Sequence, residues 1–422
     1  MPSPPGEPPT DDATHNIDSR RGAVRRRFVW NLIDQVISSA TSAVLSLFVA
    51  HRLSEHGFGS YALAYGIYTF TIGLSVNAGT SALQVRYADK PLEQFRAAAG
   101  RAQGTVAGIG ALIGLITAIA GLSIGGGVGR ALICLGAGLP ALVVVDAWRT
   151  VLKACGRPRG AAGVDALFAL GQTGGLLLLM HTGDLRAGTA ILSWAIAALV
   201  AGVAGAALMR VWPRLFSAWT WAHETRDLTG ILVAEYLIVL GAVQVAQMLI
   251  ASIGGVAVTG ALRGALVLLG PLNLLTFTAV GFAVPELVRL ESKDHGRMRR
   301  AAVSISGVLV LATFAWGAVL LLIPEHAGTV LLGQTWDRAQ STLLPSIIGT
   351  AGQCAAIGPG SVMMVLSRPR IGLRLSSAVA PLTIVLGVLG VELGGAEGAA
   401  WGLAGAQWAA IPAWYTILAR MR

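Results

Sequence analysis

About twelve apolar stretches, each near 20 residues long and separated by short polar breaks, run the length of this chain. They fall roughly at 28–50, 61–84, 101–122, 130–149, 163–181, 188–209, 229–253, 260–284, 301–323, 341–366, 372–391 and 397–419. A helix of that length crosses about 30 Å of hydrocarbon and pairs all its own backbone polar groups. The runs are continuous rather than alternating, which argues against a transmembrane β-barrel. Charged residues are 12% of the chain against 54% hydrophobic, with a mean hydropathy of +0.68. Soluble domains carry about 25% charged residues. The expected fold class is therefore an all-α polytopic membrane protein of about 12 transmembrane helices.

Charge placement orients the bundle. Of the 31 Lys and Arg residues, 26 fall in breaks on the side of the N-terminal tail; the exceptions are Arg52, Arg130, Arg186, Arg263 and Arg338. The positive-inside rule then puts both termini in the cytoplasm and the chain in the plasma membrane as a multi-pass protein. The net charge of +10 is divided among short loops, so no nucleic-acid partner is expected. Three cysteines and seven histidines show no ligand spacing, so neither a metal nor a cofactor is expected. The longest polar break on the other side, about 324–340, offers Glu325, His326 and Asp337, too little for a catalytic domain.

The chain also repeats itself. Asp34 and Gly59 have counterparts in Glu235 and Gly260, each displaced by 201 positions. Gly156-Arg157-Pro158-Arg159 recurs as Ser367-Arg368-Pro369-Arg370, displaced by 211. The expected division is a basic cytoplasmic tail (1–27), a six-helix lobe (28–209), an interfacial linker with Trp212, Trp219 and Trp221 (210–228), and a second six-helix lobe (229–422). Two related lobes facing each other in a membrane suggest a transporter.

Polar residues inside the apolar runs are the candidate site. Asn31, Asp34, Gln35 and Ser38 share an arc of helix 1; Asn77, Ser81 and Gln84 share a face of helix 2. Such faces suit either a wet cavity or interhelical hydrogen bonds. Glu235, Gln244, Gln247 and Asn273 are their second-half candidates. An intramembrane carboxylate such as Asp34 or Glu235 must be paired, hydrated or protonated, which fits a proton or cation site or a structural pair. Arg263 could hold phosphate through its planar fork or snorkel to outer headgroups. Arg149 and Lys153, in a cytoplasmic basic cluster, could meet an anionic headgroup or simply satisfy topology.

The opening Gly59-Ser-Tyr61-Ala62-Leu63-Ala64 of helix 2, the segment GALRGALVLLGPLNLL and the turn GRPRGAAGVDAL together resemble the bacterial polysaccharide exporters. These are lipid-linked oligosaccharide flippases of the MOP, or MATE-like, superfamily. The resemblance implies two six-helix lobes around a cavity that alternates between faces, and export of a polyprenyl-linked saccharide for surface polysaccharide. Membrane lipids, a glycan polymerase or glycosyltransferases would be the partners. It leaves open a drug/cation antiporter of the same fold. A membrane-embedded glycosyltransferase or polymerase would need a larger loop, so no enzyme is expected.

Overall fold

A computed structural model describes residues 45–273, 295–366 and 369–420, with isolated positions between 275 and 290. Helix α1 ends at 52, and α2 (Glu55–Ser75) begins after two intervening residues. Ser54 caps α2, its Oγ accepting from the Gly57 N–H at 3.2 Å. A π turn, Val76–Thr80, carries α2 straight into α3 (Ser81–Tyr87). Helices α4 (Leu92–Ile124), α5 (Gly126–Ala154), α6 (Pro158–Thr182) and α7 (Ala187–Met209) complete the first half. In the second half, α8 (Ala218–Tyr236) passes through another π turn, Leu237–Gly241, into α9 (Ala242–Gly254). It continues with α10 (Val256–Leu268), α11 (His295–Leu321), the short α12 (Glu325–Leu332), α13 (Trp336–Val365) and α14 (Pro369–Arg420). Helix α14 doubles back at Gly394 and Gly395, the latter at φ +58°, so its 52 residues make two antiparallel spans. Gly390 and Gly398 face each other across that bend.

The packing is that of helices in lipid. In α4, Gly110, Gly114 and Gly121 are buried against α5, while Leu112, Leu115, Ile116 and Ile119 point outward. Small residues let backbones approach where no hydrophobic driving force separates helix from lipid. A Cβ on Gly114 would fall on the Gly136 carbonyl, and one on Gly121 would come within 2.7 Å of the Gly129 carbonyl. Gly108, by contrast, faces open space. Within the first half α4, α5, α6 and α7 pack on one another; within the second, α9, α11, α13 and α14 do so.

One boundary needs correction. The break expected at 85–100 is mostly helix, because α4 starts at Leu92 and its first turns bury Phe95, Ala98 and Ala99 against the core. The stretch 210–228 carries a helix from Ala218 that runs without a break into the second half. Gly59 and Gly260 lie inside the first two turns of α2 and α10.

The start of α8 is pinned to the first half. Arg101 pairs with Glu224 at 2.7 Å, Arg86 pairs with Asp227, and the Trp221 indole N–H donates to the Gly79 carbonyl at 3.1 Å. Trp221 is fully buried, and Gly79 lies in the π turn, where the regular helical ladder is interrupted. Trp221→Phe should keep most of the packing but strand that carbonyl. The expected cost is about 1–3 kcal/mol, seen as a lower unfolding midpoint in detergent; an unchanged midpoint would show the bond contributes nothing.

Candidate functional site between the two halves

Helices α2 and α10 cross at their N-terminal ends, and the crossing joins repeat-related positions. A Cβ on Gly260 would sit 3.1 Å from the Gly59 Cα, and one on Gly59 would fall on the Val256 carbonyl. Glycine at both positions is what permits this approach. The same end is closed by Glu55–Arg338 at 3.2 Å and by the His51 carbonyl against Gly333. All these contacts lie at the arginine-poor face. Besides α8, its π turn and α9, the second half meets the first through α10, the Gly333–Thr335 turn and Arg338 at the start of α13.

A cavity of about 170 Å³ lies just inside that crossing. Helix α2 contributes Tyr65, Gly66 and Thr69, α9 contributes Gln244 and Gln247, and α10 contributes Thr259 and Arg263. The spacings are helical: i, i+3 on α9 and i, i+4 on α10, so each helix offers one face. Arg263 does not snorkel outward. Its guanidinium carbon stands 3.8 Å from the centre of the Tyr65 ring. Tyr65 in turn stacks on Trp194 at 6.0 Å and 9°, and Tyr68 meets Trp194 edge-on at 4.4 Å. The sequence YALAYGIY thus lays Tyr61, Tyr65 and Tyr68 along one stripe of α2, braced by a buried tryptophan from α7.

The cavity holds unmet polar demand. Arg263 Nε, Gln244 Oε1 and Thr259 Oγ1 are all buried with no hydrogen-bond partner among the described residues. Arg263 makes no ion pair among the described residues, so a positive charge stands here without a carboxylate. Buried polar groups are nearly always satisfied, so three orphans lining one cavity point to a guest or to water.

The other candidate residues fall elsewhere. Asn31, Asp34, Gln35 and Ser38 lie outside the described residues. Asn77, Ser81, Gln84, Glu235 and Asn273 do not line this cavity. Asn77 donates to its own helix at Gly73 O, 2.8 Å away, and Gln84 and Asn273 are exposed. A short polar side chain in a helix readily bonds the carbonyl one turn back, which removes it from the cavity. Glu235 is half-buried beside Tyr236, whose hydroxyl donates to the Phe70 carbonyl at 2.9 Å.

Arg149 is bound within the first half, its Nε 2.6 Å from Asp165 and its Nη1 3.1 Å from Asp146. Both carboxylates stand on the α5–α6 hairpin. Lys153, one turn further along α5, is half-buried. Sequence reading passed over Asp146 and Asp165; their signal was two acids flanking the GRPRG turn at the depth of Arg149. It also passed over Tyr65, since a tyrosine stripe on a helix reads first as core.

By sequence the chain matches no family model and no curated protein. By structure it is similar to an inward-facing multidrug resistance MATE family transporter of the MOP superfamily. That match has a TM-score of 0.67 and 14% identity, covering 93% of this chain and 97% of the other. It is similar also to the lipid II flippase MurJ in an inward closed conformation, with TM-score 0.69 and 10% identity over 94% and 88%. An outward-facing MATE transporter superposes less well, at TM-score 0.57 and 13% identity over 94% of each. These helices, their order and their packing give the chain the fold of the MOP-superfamily transporters, an all-α polytopic membrane architecture shared by MATE transporters and MurJ.

Proposed function

We propose that this protein is an alternating-access transporter that carries a phosphate-bearing, lipid-linked saccharide across the plasma membrane. The observation that carries the proposal is Arg263, a cation without a carboxylate partner among the described residues, in a cavity between the two halves. Ligand pockets for drug-sized molecules run to about 300–1,000 Å³, so a cavity of about 170 Å³ holds one charged group of the substrate, not the whole of it. A phosphate fits that role, because a guanidinium fork pairs with its oxygens. The saccharide would extend toward the arginine-rich face and the lipid tail would stay in the bilayer.

Contacts at the arginine-poor face, together with the better superposition on an inward-facing MATE transporter than on an outward-facing one, support a state open toward the arginine-rich side. We take that side as cytoplasmic, with both termini there, residues 28–209 and 229–422 as the two lobes, and enzymes of glycan assembly as neighbours. The protein itself would act as a carrier, not an enzyme.

A cationic drug is disfavoured in this cavity. A second unit charge 4 Å from Arg263 would cost about 4 kcal/mol at an effective dielectric of 20. The assay is translocation in liposomes: a fluorescent polyprenyl-pyrophosphate saccharide should become exposed to a membrane-impermeant quencher in a protein-dependent way, while a cationic dye should not accumulate. Dye accumulation without saccharide movement would favour the antiporter instead.

A further inference from the structure

A second cavity, of about 690 Å³, opens at the arginine-poor face of the first half. Three of the five basic residues on that side line it: Arg52, Arg130 and Arg186. They lie at the end of α1, in the second turn of α5 and just before α7, so the fold brings together charges that the sequence scatters. We propose that this pocket binds a phosphate-bearing anion.

The charge there is not neutralised. None of the three arginines forms an ion pair among the described residues, and Arg130 makes only a backbone bond, Nε to the Gly126 carbonyl at 3.2 Å. Glu55, the acid nearest Arg52 in sequence, is taken by Arg338. Asp184 is exposed beside Arg186 but does not line the cavity; its backbone carbonyl accepts from Thr189.

The backbone adds to the same field. Helices α2, α5 and α7 all begin here, and residues of their first turns form the wall. Helix N-termini present unpaired N–H groups and a partial positive charge. Three arginines and three helix starts around one concavity are chemistry for an anion with several oxygens. These arginines also run against the chain's own charge asymmetry, so topology does not call for them.

The volume lies within the range of ligand pockets. Leu53, Ile133 and Leu185 give the cavity an apolar side as well. A lipid headgroup or a free polyphosphate would both satisfy this lining. The pocket is distinct from the one around Arg263: Gly57 and Ser60 of α2 face it, whereas Tyr65, Gly66 and Thr69 face the other. Helix α2 is the wall between them, so the proposal stands without the transport reading.

Cys134 lines the pocket half-buried and provides a local probe. With Cys155 and Cys354 replaced by serine, the purified protein is treated with a small maleimide, with and without ligand. Inorganic pyrophosphate in detergent is one arm, and dioleoyl phosphatidylglycerol against phosphatidylcholine nanodiscs is the other. Either anion should slow labelling of Cys134 at least fivefold. Protection by pyrophosphate assigns a free anion, and protection by the anionic lipid alone assigns a headgroup. The protection should fall below twofold in Arg130→Gln/Arg186→Gln and survive in Arg130→Lys/Arg186→Lys. No protection by either anion in the otherwise wild-type chain, or equal protection in the glutamine variant, overturns the proposal.

Discussion

Arg263→Gln should lower translocation of a pyrophosphate-linked substrate by about 10- to 150-fold, the equivalent of roughly 1.5–3 kcal/mol for a charge-assisted hydrogen bond. The variant should still reach the membrane in normal amount, because among the described residues Arg263 has no carboxylate that its loss would strand. What it does lose is its stacking on Tyr65, worth roughly 0.5–2 kcal/mol. Arg263→Lys keeps the charge but not the planar fork, and should fall between the two. Tyr65→Leu should act in the same direction but more weakly, since it removes the platform and not the charge. Rates are compared at equal protein in liposomes. Wild-type rates in Arg263→Gln would remove the residue from the substrate path.

Gly59→Val should block transport by a different route. The new Cβ would fall on the Val256 carbonyl, so α2 and α10 could no longer close at the arginine-poor face. Overpacking costs about 1–3 kcal/mol, borne by the closed arrangement and relieved when the halves part there. That difference shifts the balance of states roughly 5- to 150-fold toward the one open at this face. A cysteine at Thr69, which lines the inner cavity, should then react faster with an impermeant thiol reagent applied from the arginine-poor side. Gly108→Val, in open space, serves as the matched control and should change neither rate nor transport. Loss of folded protein without a change in reactivity would make Gly59 a packing residue and no part of a gate.

Much of this architecture is legible in the sequence because lipid imposes a simple rule. A run of about 20 apolar residues must be a helix, and within the described residues the runs reappear as helices. Boundaries were less legible: α12 sits in the polar break expected at 324–340, and α4 begins at Leu92 because Phe95, Ala98 and Ala99 pack into the core. Three residues of the inner cavity, Gln244, Gln247 and Arg263, stood out as polar groups in apolar runs. Their partners did not. Tyr65 becomes a platform when α10 crosses α2, and that crossing depends on Gly59 meeting Gly260, which no local pattern reveals. The partners of Arg149 were hidden for the matching reason: Asp165 lies across a hairpin, and its charge reaches Arg149 through packing, not through sequence neighbourhood. The Asn77 amide finds its partner within its own helix.

The central claim, a phosphate-binding arginine between two halves, is tested most directly by binding. Purified protein is titrated with a polyprenyl pyrophosphate and, separately, with the uncharged polyprenyl alcohol of equal length, and retained ligand is read by native mass spectrometry. The account predicts that the pyrophosphate binds at least tenfold more tightly than the alcohol. It further predicts that Arg263→Gln abolishes this preference, while Arg130→Gln/Arg186→Gln leaves it in place. Equal binding of the two lipids to the wild-type chain, or a preference that survives in Arg263→Gln, would contradict it.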